Sequence, residues 1–230
     1  MKRYLITGAS RGIGRAIAVR LAAPGRELLV HGRDLASLEE TCGAVRTRGG
    51  RAVPLRADLR RPEEIHQLAQ VVGQAGLDVL VNNAGYAVVK PLAEIGLSEW
   101  QDGLAIMATA PFLLIQSLLP VLGRGATIVN LQSVASRRGF PGWSAYCAAK
   151  FALEGLSLSL REELRPRGVR VVNVYPAATD TTLWSGIAGS WPRERMLTPE
   201  EVAEAITYAL DRPPGVLVES IELGDLSGPL

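Results

Sequence analysis

The sequence predicts an α/β fold: a doubly wound parallel sheet of about seven strands with helices on both faces. Three observations predict it. Short apolar runs alternate with segments of helical periodicity along the chain, as in strands joined by crossover helices. The strand segments are continuous apolar runs, as expected of strands covered on both faces. A glycine-rich turn, Thr7-Gly8-Ala9-Ser10-Arg11-Gly12-Ile13-Gly14, separates the first strand from the first helix. There a helix N-terminus offers unpaired N–H groups to a phosphate.

The elements follow in order. Residues 2–6 are the first strand, and Ala16, Ile17, Val19 and Leu21 carry the apolar stripe of the first helix. Residues 27–31 are the second strand. Asp34 then caps a helix bearing Leu35, Leu38, Cys42 and Val45. Residues 52–56 are the third strand; Pro54 cannot donate to a central ladder, so this strand belongs at an edge. Pro62 opens a helix through Ile65, Leu68 and Val72. Residues 77–81 are a buried strand ending in Asn82-Asn83-Ala84-Gly85. A long helix spans 98–122, interrupted at Pro111; a strand spans 126–131 and ends at Ser133. Residues 143–165 form a helix and 169–175 a strand ending at Pro176. An aperiodic stretch with Trp184 and Trp191 precedes the last helix, opened by Thr198-Pro199-Glu200-Glu201, and 216–223 is the last strand.

Composition narrows the function. The chain has 230 residues, 47% hydrophobic and 21% charged, in keeping with one domain over 1–230. A net charge of +2 argues against a nucleic-acid partner. No apolar stretch reaches membrane-spanning length, no leader pattern precedes the first strand, and two cysteines make no disulfide framework. The expectation is a cytoplasmic protein. His31 and His66 are isolated, read as surface or strand-end residues, and no metal site is expected.

In such sheets ligands bind at the carboxyl ends of the strands. Distinctive residues fall there: Gly8 to Gly14, Arg33, Asp58, Asn82 to Gly85, Ser133 and Pro176. Tyr146 and Lys150, four apart, share one helix face near its start. A cation beside a phenol lowers its pKa from about 10, which suits a tyrosine to acid–base work.

The glycine turn, Asn82-Asn83-Ala84-Gly85, Ser133 and Tyr146-x-x-x-Lys150, in this order, resemble the short-chain dehydrogenase/reductase family and its Rossmann-type fold. The resemblance implies an oxidoreductase that moves a hydride between NADP(H) and a small carbonyl or alcohol substrate. It assigns Tyr146 as proton donor and Ser133 as the group orienting the carbonyl. Lys150 lowers the tyrosine pKa and, with Tyr146, holds the nicotinamide ribose. For the cofactor it implies Gly8, Ser10, Arg11, Gly12, Ile13 and Gly14 at the phosphates and Asp58 with Leu59 at the adenine. Asn83, Ala84 and Gly85 line its adenine-side ribose, and Pro176, Thr179 and Thr181 its carboxamide end. An NAD site carries an acid at the end of the second strand. Here that stretch is His31-Gly32-Arg33, so Arg33 and Arg11 are expected to face a 2′-phosphate and favour NADP(H) over NAD(H).

Two departures stand out. Ala177 follows Pro176 where the family has glycine, and Met107 falls where the family's catalytic asparagine aligns. Pro111 has no N–H for the Met107 carbonyl, so the helix should bend there. With Met107 in that place, the alternative is a catalytically impaired NADP(H)-binding regulator or scaffold. Residues 183–198 are expected to form a substrate lid. Leu113, Leu114, Leu118, Leu153, Leu156 and Leu160, together with the resemblance, predict a homodimer or homotetramer.

Overall fold

In the computed structural model, which describes residues 1–187, 189–213 and 215–226, seven strands form one parallel sheet in the order β3-β2-β1-β4-β5-β6-β7. The strands are β1 Lys2–Ile6, β2 Arg26–Gly32, β3 Arg51–Arg56, β4 Leu77–Asn82, β5 Leu122–Leu131, β6 Arg170–Pro176 and β7 Ser220–Leu223. The helices are α1 Gly12–Leu21, α2 Leu35–Thr47, α3 Pro62–Gly73, α4 Leu97–Leu104, α5 Ala110–Leu118, α6 Ser144–Leu164 and α7 Pro199–Leu210. β3 is an edge strand, as Pro54 demands, and the chain reverses direction across the sheet between β1 and β4.

Alternation along each strand builds two cores. Ile6, Val30, Val81, Val129 and Val172 face one way and pack with Ile17, Leu21, Val202 and Ile206 of α1 and α7. Leu5, Leu29, Leu80, Ile128 and Val171 face the other, against Ile65 and Leu68 of α3 and Leu114 and Leu118 of α5. Each fully buried aliphatic side chain contributes about 1.5–3 kcal/mol, so register is set strongly from both sides. The predicted caps form. Asp34 Oδ1 accepts from the Ser37 N–H at 2.8 Å, and Thr198 and Glu201 make a reciprocal capping box.

Three elements differ from expectation. The helix over 98–122 is instead α4, one wide turn of π-helix at Ala105–Thr109, and α5, which stops at Leu118. The Ala110 N–H reaches back five residues to the Ala105 carbonyl, so the chain accommodates Pro111 by widening a turn. β5 begins at Leu122, four residues before the expected start, because Leu122 pairs with Leu77 across a bulge that carries Gly123, Arg124 and Gly125. β7 is shorter than 216–223, pairing only from Ser220.

Candidate active site

The glycine turn gets its shape from residues far away in the chain. Thr7 Oγ1 accepts from the backbone N–H groups of Asn83 and Ala84, both at 3.0 Å. Asn83 Nδ2 donates to the carbonyls of Thr7 and Gly8, at 2.8 and 3.1 Å. A Cβ on Gly14 would lie 2.3 Å from the Gly8 carbonyl oxygen, so only glycine closes the turn. The cap position of α1 is Arg11, whose side chain makes no capping hydrogen bond, and no acid lies in the first turn. The N–H groups there have no side-chain acceptor and suit an anion.

A cleft of about 820 Å³ runs along the carboxyl ends of the strands. It is lined by Gly8, Ser10, Arg11, Gly12, Ile13, Arg33, Asp58, Leu59, Asn83, Ala84, Gly85, Ser133, Tyr146, Lys150, Pro176, Thr179 and Thr181. The one expected residue outside this lining is Gly14, buried behind the turn it closes.

Ser133, Tyr146 and Lys150 converge on the cleft from the end of β5 and the first turns of α6. Loss of water around the Tyr146 phenol pushes its pKa up to about 12, outweighing the neighbouring Ser133 hydroxyl, which favours the phenolate. Lys150 is 5% exposed, and burial brings its ammonium down to about 8. Its Nζ donates to the Leu131 carbonyl at 2.6 Å and lies 5.8 Å from the Tyr146 ring centre. Burial sets the direction of the Tyr146 shift, and the Lys150 ammonium is held by the Leu131 backbone carbonyl beside the ring.

Sequence reasoning missed the support beneath Ser133. Asn82 donates to Asn130 at 2.8 Å and Asn130 to Ser157 Oγ at 2.7 Å. Gln132 donates to Ser157 at 3.1 Å and accepts from Ser136 Oγ at 3.0 Å. Ser136 Oγ in turn accepts from the Ser133 N–H at 3.1 Å. These side chains are all buried, so this chain of bonds fixes the end of β5. The signal was an asparagine at the same register in β4 and β5, Asn82 opposite Asn130, at the ends of apolar stretches.

Charged groups gather at the β2 and β3 end of the cleft. Arg11 and Arg33 make no ion pair among the described residues. The Arg60 guanidinium donates to both oxygens of Asp58, holding that carboxyl down at about 2, and bridges to Asp102 at 3.3 Å. Arg60 and Asp102 are cleft residues that sequence reasoning did not single out. His31 is not a surface residue: it is 2% exposed, Nε2 lies 3.1 Å from the Ala57 carbonyl, and burial lowers its pKa to about 4.

At the opposite end, Ala177 has no positive φ, so the missing glycine imposes no strain. The 183–198 stretch contains short 3₁₀ turns at Thr182–Gly186 and Arg193–Arg195; Ala188 lies outside the described residues. Its ends are tied down: Leu197 exchanges backbone hydrogen bonds with Ala178 and Asp180, and Arg193 pairs with Asp180. Met107, 2% exposed, packs its sulfur against Gly85, where a Cβ would come within 3.2 Å of it. Of the leucines expected on an outer face, Leu114, Leu118 and Leu153 are buried within the subunit; Phe112, Phe151 and Leu158 are the exposed apolar residues of α5 and α6.

A parallel sheet whose crevice lies beyond the strand ends at a reversal of strand order defines the Rossmann-like class. Comparison narrows the class. Residues 2–189 match the short chain dehydrogenase family. The chain is 30% identical to an uncharacterized oxidoreductase of Listeria monocytogenes, covering 99% of this chain and 98% of that one. It is 32% identical to a 3-oxoacyl-[acyl-carrier-protein] reductase of Synechocystis, covering 91% and 89%. An alcohol dehydrogenase from the archaeon Thermococcus sibiricus, complexed with 5-hydroxy-NADP, superposes with a TM-score of 0.92 at 28% identity, covering 100% and 99%. A short chain dehydrogenase from Burkholderia cenocepacia in complex with NADP gives 0.88 at 31%, covering 97% and 96%. The chain belongs to the short-chain dehydrogenase/reductase family and is an oxidoreductase of that family.

Proposed function

We propose that the protein is an NADP(H)-dependent reductase of carbonyl compounds, or alcohol dehydrogenase in reverse, with Tyr146 as acid and base. The observation that carries this reading is the convergence of Ser133, Tyr146 and Lys150 on a cleft that begins at an uncapped helix N-terminus. The cleft fits a dinucleotide. N–H groups without a side-chain cap stand at one point along it, and Arg11 and Arg33, in no ion pair among the described residues, offer guanidinium groups suited to a phosphate. The NADP carried by structural neighbours agrees with this preference over NAD(H).

When bound, the dinucleotide supplies or accepts the hydride. The chain does the rest. Ser133 donates to the carbonyl oxygen and orients it, and Tyr146 hands its phenolic proton to that oxygen as the alcohol forms. The Lys150 ammonium, held under the Leu131 carbonyl, stabilises negative charge left on the phenol. Asn83 uses both amide N–H groups on the glycine turn, so its contribution to the cofactor site is to hold that turn. The stretch carrying Leu183, Trp184 and Trp191 covers the substrate. Phe112, Phe151 and Leu158 are the apolar surface for a homodimer or homotetramer, and the free thiols Cys42 and Cys147 fit a cytoplasmic location.

The test is Tyr146→Phe. The change should lower turnover of any reducible ketone by at least about a hundredfold while leaving NADP(H) affinity within about twofold. Retained turnover refutes the assignment. Met107, buried where related enzymes have an amide, keeps the regulator reading alive. That reading expects dinucleotide binding with no turnover on any carbonyl.

A further inference from the structure

The end of the cleft beside Tyr146 is built differently from the rest. Trp143 meets the Tyr146 ring edge-on, with centroids 5.5 Å apart. Trp143 and Trp184 are 6.0 Å apart at 64°, and Trp184 and Trp191 are 4.7 Å apart at 50°. All three indoles line the cleft and none is fully buried. Trp184 is pinned, its Nε1 donating to the Thr179 carbonyl at 2.9 Å. Val134, 40% exposed beside Ser133, also lines the cleft, as do Phe140 and Leu183.

Charge is nearly absent at this end. Arg11, Arg33, Asp58 and Arg60 stand at the β1, β2 and β3 strand ends, across the sheet from β5 and β6. Asp180 and Arg193 are paired with each other, and Lys150 is engaged by Leu131. Arg138 is exposed and lies over Phe140, 4.6 Å from the ring centre.

We infer that the substrate of this site, on the reading of a carbonyl reductase, is a neutral ketone carried on a flat aromatic ring system. The wall argues for it on two grounds. Three partly exposed tryptophans, tilted 64° and 50° to their neighbours in the row, present apolar faces and edges that gain by excluding water against an aromatic partner. Their centroid spacings are those of rings already in contact, so nothing inserts between them. They make one continuous surface beside the phenol, and a cage around a quaternary ammonium would need rings set apart. A ring system lying on that surface brings an attached carbonyl to Ser133 and Tyr146, and an aliphatic keto acid would leave the wall wet.

The experiment compares 2-acetylnaphthalene, 2-octanone, a 3-oxo fatty acid and a trimethylammonium ketone. Binding to the Tyr146→Phe variant is followed by calorimetry and by quenching of tryptophan emission. Turnover by the unmodified protein with NADPH is measured alongside. The expected result is tightest binding and highest kcat/KM for 2-acetylnaphthalene. Trp184→Ala should raise its KM about tenfold with kcat less affected, and Trp184→Phe should restore most of the loss; a melting curve checks that each variant folds. Tighter binding or faster turnover of the acid, the ammonium ketone or 2-octanone overturns the inference, as does no binding of any of the four. The outcomes separate the two claims. Saturable binding of 2-acetylnaphthalene without turnover by the unmodified protein sinks the reductase reading and leaves the aromatic site standing. Turnover of 2-octanone alone does the reverse.

Discussion

Lys150 is held charged under the Leu131 carbonyl in a site that strips it of water, and replacing it tests that picture through stability alone. A fall from 10.5 to about 8 is worth about 3 kcal/mol, at about 1.4 kcal/mol per pH unit. The sign follows from proton binding. Below pH 8 the lysine is charged in both the folded and unfolded chain, and the full cost of burying it is present. Between 8 and 10.5 the folded chain has released the proton while the unfolded chain still binds it, so stability rises with pH. At pH 9.5 about 1.4 kcal/mol of the cost remains, a relief of about 2 kcal/mol relative to pH 7. Lys150→Met keeps the length of the side chain and removes the titration. It also removes a charged hydrogen bond worth about 1.5–3 kcal/mol, so at pH 7 the two terms nearly cancel and the variant should melt within a few degrees of the parent. The assay is urea unfolding of both proteins from pH 7 to 9.5. The parent should gain about 2 kcal/mol over Lys150→Met across that range. Parallel curves would refute the claim that Lys150 sits charged and desolvated at neutral pH.

Other perturbations read other parts of the site. Arg33→Ala should weaken NADP(H) at least about tenfold and NAD(H) by less than about twofold, measured as dissociation constants side by side; equal losses would count against a 2′-phosphate contact. Gly14→Ala forces a Cβ into the Gly8 carbonyl and should cost at least about 3 kcal/mol in denaturant unfolding, with dinucleotide binding lost; a neutral result would mean the turn is not closed as described. Met107→Asn puts an amide into a packed apolar gap beside Gly85. It should lower the melting temperature by several degrees while raising the turnover rate, and an unchanged rate would show that no proton passes this position.

How much of this was visible in the residues depends on the range of the physics. β3 could be placed at an edge because a proline in the chain forbids a bond locally, whatever surrounds it. The glycine turn, Ser133 and the Tyr146–Lys150 pair were legible because spacing alone sets them at a strand end or on one helix face. The Lys150–Leu131 bond and the raised Tyr146 pKa were not, since they depend on how much water packing leaves at each atom. His31 does stand at a strand end, but a lone histidine there carries no mark of being covered. The bulge at Gly123 to Gly125 reads as a turn in composition, and only the pairing of Leu122 with Leu77 makes it part of a strand.

The hydrogen bonds between Thr7 and Asn83 join positions 76 apart in sequence. During folding, the loop between them must close before the phosphate-facing turn acquires its shape, a late and non-local event. A nascent chain that has emerged only through β3 carries every residue of the turn and its bonds to His31 and Thr41, but not those to Asn83 and Ala84. Affinity for the dinucleotide should therefore arise in synthesis when β4 docks beside β1, well after the glycines themselves have been made.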